Sequence, residues 1–421
     1  MSRILAYTSP ALGHLFPMVP VLLELHRRGH EVHVRTLESQ LETVRALGLQ
    51  ADAIDHRVAA IEAEDHLARG PRQALVSATK TFTDRAKFDG PDLAAAVEQL
   101  DPDVLLVDAN SWGAACAAEA GNTPWASWFP YTPPLSSADA PPFGPGFLPA
   151  HGVLGRLRDK IARPLVLGAA EKAMATPLNT LRDNYGLPPV HTADELFLRA
   201  PLVLVTTSGP FEYGHSDWDP RIRQIGALTW DPPTEEPPWL REIDGPLALV
   251  TTSSEYQGDE QLARTAVAAL ADEPYTVIVT LPAGMTNLGT LPPNVRAIEF
   301  VPHRYVLERS VVAVTHGGMG ATQKALALGV PVCVVPWGRD QLEVAARVVH
   351  SGSGTRVSRR RLTPHRLREA VRSAVTKSDG ARRVANGYLA AGGANAGGNA
   401  IEQLLGKTPY APGQDKATRT A

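Results

Sequence analysis

Val311-Val312-Ala313-Val314-Thr315-His316-Gly317-Gly318-Met319-Gly320-Ala321-Thr322-Gln323 is the stretch on which the reading of this chain turns. It opens as a β-branched run, passes through three glycines within positions 317–320, and leads to an apolar helical segment, Ala325 to Leu328, closed by Gly329. Strand, glycine turn and helix in that order make the repeating unit of a parallel α/β sheet, whose ligands gather at the carboxyl ends of the strands. Glycines let backbone N–H groups approach a ligand closely, and a helix N-terminus offers unpaired donors with partial positive charge. A phosphate is the natural guest, and His316 adds a donor beside it. The plain alternative is a tight turn with a capping histidine. No Lys-Ser/Thr pair follows the glycines, so the segment is not a Walker A loop, and its spacing is not the dinucleotide fingerprint.

The same grammar runs outward in both directions. Around this segment, strands are expected at Leu247 to Thr251, Tyr275 to Thr280, Val295 to Phe300, Val311 to Thr315 and Val332 to Val335, with helices between them. About three helical stretches follow Leu362 and end near Leu405. In the first half, strands are expected at Ile4 to Thr8, Glu31 to Thr36, Val104 to Val107 and Leu202 to Thr206, the last of these closing its sheet. Leu15 to Arg28 and Ser111 to Ala120 read as helices. Residues 132–149, rich in Pro, Gly and Ser, read as a long loop over a pocket, and the prolines of Asp231 to Pro238 mark a stiff linker. The expected division is a domain over 1–225, a linker over 226–240, a second domain with the terminal helices over 241–405, and a disordered tail over 406–421. Both domains are expected to be doubly wound α/β sheets facing each other across a cleft.

Composition narrows the function. The 421 residues are too many for one compact core and suit two domains. Lys plus Arg number 41 against 44 Asp plus Glu, and a net charge of -3 gathers neither nucleic acid nor an anionic membrane. Only two cysteines occur, Cys116 and Cys333, both within apolar runs, which gives no disulfide framework and no thiolate cluster for zinc. The first residues are too short an apolar stretch for a signal peptide, and no window reaches the roughly 20 apolar residues of a membrane span. A cytoplasmic protein without stable membrane insertion is the expectation.

Three further places carry chemistry. Pro336-Trp337-Gly338-Arg339-Asp340-Gln341 follows a strand and opens a helix from Leu342, and a carboxylate beside an amide can grip vicinal hydroxyls, so Asp340 and Gln341 suit a sugar. The alternative for Asp340 is a helix N-cap. Gly13-His14-Leu15-Phe16-Pro17 puts His14 in the loop after the first strand, and Asp108 ends a neighbouring strand. An Asp bonded to one ring nitrogen fixes the tautomer that frees the other to take a proton. Asp101-Pro102-Asp103 lies at the opposite edge and reads as a turn, and Arg359-Arg360-Arg361 as a solvated basic patch. Trp125, Trp128, Phe129 and Tyr131 suit either an apolar pocket or the core.

Together these residues resemble the family 1 glycosyltransferases of the two-domain B-type fold, especially bacterial members that decorate antibiotics and polyketides. The likeness covers residues 1 to 405. It implies an acceptor-binding first domain and a second domain that holds a nucleotide-sugar. His14 would be the general base supported by Asp108, and His316, with Gly317, Gly318, Met319, Gly320 and Ala321, would meet the diphosphate. Thr252, Ser253 and Ser254 resemble the family's phosphate-contacting hydroxyl loop. Phe300, with Val301 beside it, stands where an aromatic stacks on the base. Asp340, Gln341 and Trp337 would hold the sugar, and Trp128, Phe129, Tyr131, Phe143 and Phe147 would line the acceptor pocket. Eight residues after the glycine-segment histidine, where many relatives carry a Glu that accepts from ribose hydroxyls, this chain has Lys324. A lysine only donates, which favours a thymidine over a uridine diphosphate donor unless Lys324 contacts a phosphate instead.

The implied reaction is an inverting, metal-independent transfer to a hydroxyl of a small hydrophobic acceptor, with the nucleotide-sugar as co-substrate and no cofactor. A homodimer is left open. Two other classes fit less well. A nucleotide-sugar epimerase would have no use for an acceptor pocket, and a non-catalytic nucleotide-sugar-binding partner would have no use for the His14 and Asp108 pair.

Overall fold

The computed structural model describes residues 1–62, 71–150, 152–254, 257–284 and 287–406. Its strands form two sheets, parallel throughout. The first contains β1 (Arg3–Tyr7), β2 (Glu31–Thr36), β3 (Gln50–Ala53), β4 (Val104–Asp108), β5 (Trp125–Phe129), β6 (Leu202–Val205) and β7 (Ile222–Gln224), in the order β3-β2-β1-β4-β5-β6-β7. The second contains β8 (Leu247–Thr251), β9 (Thr276–Thr280), β10 (Val295–Ile298), β11 (Ser310–Thr315), β12 (Val332–Val334) and β13 (Gly354–Arg356), in the order β10-β9-β8-β11-β12-β13. Every residue of β4 and of β8 is buried, as a strand covered by helices on both faces requires.

Strand order reverses between β1 and β4 in one sheet and between β8 and β11 in the other. Crossovers leave in opposite directions at such a point and open a crevice at the carboxyl edge. The register sets Tyr7 beside Val107, so the residues that follow β1 and Asp108 at the end of β4 emerge together. The register of Thr315 with Thr251 does the same for His316 and the loop from Thr252.

Four strands escape the sequence reading: the central β5, whose aromatics read only as pocket or core, and β3, β7 and β13, with sequences QADA, IRQ and GTR. The last three lie at the edges of their sheets, where one side meets other surroundings and no apolar run is needed. Leu202–Val205 is therefore not the last strand of the first sheet; β7 is.

The terminal helices also divide differently from the expectation that all belong with the second sheet. Pro364–Val375 and Ser378–Ala390 bury Leu367, Val371, Val384 and Tyr388 in the second domain's cores. Gly393–Leu404 instead crosses back and buries Ala400 and Ile401 with Val21 and Leu22 of the helix Leu12–Arg27. A Cβ on Gly397 would come within 2.8 Å of Val21, so the absence of a side chain permits this approach. Arg28 donates to Glu402 at 2.7 Å and to Asn399 at 2.8 Å, fastening the same contact. The tail expected to be disordered lies, from Lys407 onward, outside the described residues. Among the described residues no helix is long and apolar enough to cross a membrane.

Candidate active site

A cleft of about 2830 Å³ runs between the carboxyl edges of the two sheets, large enough for two substrates side by side. On its first-domain wall stands His14. The helix there begins at Leu12, earlier than Gly13 and Pro17 suggest, so His14 sits in its first turn, where backbone N–H groups lack intrahelical partners in any case. Its Nδ1 lies 2.8 Å from Oδ2 of Asp108, whose side chain is fully buried. Asn110 donates its backbone N–H to Oδ1 of Asp108 at 2.9 Å and directs Nδ2 to Nε2 of His14 at 3.3 Å. Tyr131 donates its hydroxyl to Oδ1 of Asn110 at 2.6 Å, which fixes the orientation of that amide. A donor at Nε2 and a carboxylate at Nδ1 together specify the tautomer that carries its proton on Nδ1. Burial, aided by the charges of Asp108 and Asp340, pushes the Tyr131 hydroxyl well above its ordinary range, so it remains a donor.

The opposite wall belongs to the second domain. Here the helix Met319–Ala327 begins at Met319, and Gly318, Met319, Gly320 and Ala321 line the cleft with its amino end. His316 is buried and lines the cleft beside it. Burial holds its imidazole down at about 4, so it stands neutral, and no partner meets its Nδ1 among the described residues. Thr252, Ser253, Ser254 and the exposed Phe300 complete this wall. Gln257 donates to Oγ of Ser253 at 2.9 Å and accepts from Nε2 of Gln341 at 2.6 Å, tying the hydroxyl loop to the loop after β12.

Asp340 makes no capping bond with its side chain, although it precedes the helix Gln341–His350. Burial raises its carboxyl, while Arg339 and His14 pull it down, so the charge of the first-domain histidine reaches it across the cleft. Trp337 lines the cleft with its ring under Arg359, and Arg359, Arg360 and Arg361, exposed as expected of a solvated patch, stand on the cleft's rim.

Four expected roles change, and Gln341, which lines the cleft as expected, has a structural role as well. Trp128 and Phe129 have no exposed surface and pack in the first domain's cores on either face of β5; they do not line the acceptor pocket. Tyr131, Phe143 and Phe147 do line the cleft. Alternation along β5 buries successive residues on both faces, which local aromatic density does not disclose. The side chain of Val301 is likewise in the core and offers the cleft no surface. Gly317 does not line the cleft but permits close packing: at φ +95, a Cβ there would meet Val334 at 2.9 Å. Gln341 is nearly fully buried, and its Oε1 accepts from the N–H groups of Trp337 at 2.7 Å and Gly338 at 3.0 Å. Its amide shapes the turn, leaving Asp340 as the acidic group facing the cleft from this segment.

Sequence reading missed Asn110, Gln257 and a buried charge cluster that fastens the long loop. Glu343 accepts from the N–H groups of Gly144 and Gly146 at 2.8 Å each, and Arg347 donates to Glu343 at 2.9 Å and to Glu212 at 2.8 Å. Burial alone would raise the Glu212 carboxyl, but Arg347 and His215 hold it down at about 2. The loop that carries Phe143 and Phe147 is thereby anchored to the helix that follows Asp340. A Glu two residues after Gln341 was the available signal.

Comparison with known proteins agrees with this fold. Residues 264–395 match the family described as erythromycin biosynthesis protein CIII-like, C-terminal domain. The chain is 33% identical over 387 residues to 4'-demethylrebeccamycin synthase of Lentzea aerocolonigenes, covering 88% of this chain and 91% of that protein. Among solved structures, the glycotransferase of kitacinnamycin superposes with a TM-score of 0.72 at 25% identity, covering 96% of this chain and 99% of that one. The glycosyltransferase VinC, solved in complex with DTDP, superposes with a TM-score of 0.66 at 22% identity, covering 96% and 98%. With two parallel sheets, a cleft at both switch points and a relative matched along nearly its whole length, the chain belongs to the natural-product glycosyltransferases of the B-type fold.

Proposed function

We propose that the protein transfers a sugar, with inversion and without a metal, from a thymidine diphosphate-linked deoxysugar to a hydroxyl of a small hydrophobic acceptor. The observation that carries this reading is the His14–Asp108 pair at 2.8 Å, on the wall of a cleft whose other wall presents a helix amino end and His316. Nε2 of His14 takes the proton of the acceptor hydroxyl, exchanging its contact with Asn110 for one with substrate, and Asp108 stabilises the imidazolium that forms. The acceptor oxygen forms its bond to the anomeric carbon as the carbon–phosphate oxygen bond breaks on the opposite face, and the electron pair leaves with the diphosphate. Backbone donors at Gly318 to Gly320, the neutral His316 and the Ser253 and Ser254 hydroxyls meet that growing charge.

Asp340 is placed to accept from a sugar hydroxyl near the reacting carbon, and Tyr131, Phe143 and Phe147 supply an apolar wall for the acceptor. The described residues contain no group of three His, Cys, Asp or Glu side chains fit to hold a metal ion, and the charge stabilisers named are all protein donors. The complex of VinC with DTDP supports a thymidine nucleotide here. The test is incubation with thymidine diphosphate-sugars and a panel of hydrophobic alcohols and phenols, read by mass spectrometry, with the anomeric coupling of the product read by NMR. Nucleoside diphosphate release that needs no acceptor, or retention at the anomeric carbon, sinks the proposal.

A further inference from the structure

The long loop from Thr132 is held by both domains. Its first part is fastened by its own: Asp194 accepts from the N–H of Ser136 at 2.8 Å, Asp217 from the N–H of Ala138 at 2.7 Å, and Trp218 donates to the carbonyl of Ser136 at 3.2 Å. Its far part, which brings Phe143 and Phe147 to the cleft, is fastened by the other domain. Oε1 of Glu343 takes the N–H groups of Gly144 and Gly146 together, and Arg356, at the end of β13, donates to the carbonyl of Gly146 at 2.9 Å. Gly146 stands at φ +64, where a Cβ would overlap the carbonyl oxygen of Leu342, so the loop backbone lies directly on the first turn of the helix Gln341–His350. Glu343 is only 1% exposed, and its Oε2 is committed to Arg347, which also grips Glu212 of the first domain. Phe147 is steadied a second time by Arg158 of its own domain, 5.1 Å over its ring. Phe143 has no ring or cation stacked on it among the described residues, so its place in the cleft depends on the glycine beside it.

Resting on the transfer reading above, we propose that Glu343 is a positioning residue for the acceptor, so that the second domain, whose wall faces the nucleotide, also sets which acceptors fit. Asp340 and Glu343 stand three residues apart at the start of one helix and are neighbours on its surface. The wall that an acceptor leans on is therefore held at a fixed place relative to the carboxylate beside the sugar. A loop released from this anchor must be ordered afresh by each acceptor that binds, which weakens binding and leaves the chemical step as it was.

Two variants release the loop from opposite sides. In Glu343→Gln the amide has one oxygen for three donors; Arg347, buried and donor-only, claims it, and the NH₂ turns on the glycine N–H groups. Gly146→Ala pushes the loop away while the second domain stays unaltered. With the best-used phenol of the panel above and a thymidine diphosphate-sugar, each variant is expected to raise the acceptor KM about tenfold, with kcat within about threefold of the parent. Affinity for thymidine diphosphate, by calorimetry, should stay within about twofold, and the spread of kcat/KM among the phenols used should narrow. Hydrogen exchange across residues 140–149 should quicken in both variants. An acceptor KM that does not move in either variant overturns the proposal. So does an equal loss in kcat, acceptor KM and nucleotide affinity, which is what damage to the fold alone would give. No turnover by the parent sinks the transfer reading and this proposal with it, whereas turnover by the parent with an unmoved acceptor KM in the variants sinks this proposal alone.

Discussion

His14 and His316 stand at the carboxyl edges of the two sheets, on facing walls of one cleft, and their surroundings give the same side chain opposite characters. His14 keeps 16% of its side-chain surface exposed and rests on a fully buried carboxylate. Negative charge behind an imidazole stabilises its protonated form, which suits a group that must accept a proton. His316 is buried with no carboxylate against it among the described residues, and burial takes its imidazole down to about 4. A group so placed stays neutral and donates a hydrogen bond without exchanging protons. The lesson is that residue type and position on the sheet do not assign a role; the partner behind the ring does.

The largest effect should come from removing the proton acceptor. His14→Ala is expected to lower kcat by about 10² to 10⁴, the range of general base catalysis, while the affinity for thymidine diphosphate measured by calorimetry is unchanged. Activity within a few-fold of the parent would take His14 out of the chemistry. His316→Ala should show the converse pattern, with nucleoside diphosphate affinity falling roughly tenfold to a hundredfold, as expected for one hydrogen bond to a charged group. Unchanged affinity would mean that the ring only packs the turn. Asp108→Asn should reduce kcat by about tenfold, a smaller loss than His14→Ala, because an amide oxygen still accepts from Nδ1 but carries no charge to stabilise the imidazolium.

Folding stability provides a milder contrast. The folded-state value of His316, about 4, lies below the 6.5 of a free imidazole, so between these values the unfolded chain binds a proton that the native state refuses. The contribution is complete above pH 6.5 and is lost as pH falls toward 4, at about 1.4 kcal/mol per pH unit for such a site. Urea unfolding between pH 4 and 7 should therefore show a shallower dependence in His316→Gln than in the parent, and equal slopes would contradict the buried neutral ring. The smallest expected effect is none: activity in EDTA should equal that in buffer, and a loss restored by Mg²⁺ would show that the protein donors around His316 do not suffice.

Much of this contrast is legible in the chain. His14, Asp108, His316 and Asp340 all fall where a strand gives way to a loop or helix, and glycine, proline and apolar periodicity mark those junctions locally. The edge strands β3, β7 and β13 are not marked, because a short polar run at the rim of a sheet differs little from loop. Asn110 and Gln257 are not marked either, since an amide acquires a role only from the groups on its two sides.

The sequence by itself determined the alternation of strand and helix, the glycine-built helix amino end and the placing of chemistry-bearing side chains at carboxyl edges. These depend on backbone preferences and burial patterns set by residues within a few positions of one another. Only the tertiary structure decided that Trp128 and Phe129 fill the cores, that Gln341 shapes a turn, and that the last helix returns to the first domain. It also decided that Asp108 meets His14 across 94 residues and that Asp231 meets Lys324 across 93. Such pairings follow from strand order and from the packing of one domain against the other. No local preference encodes them, because the free energy of each contact depends on what the whole fold excludes from water around it.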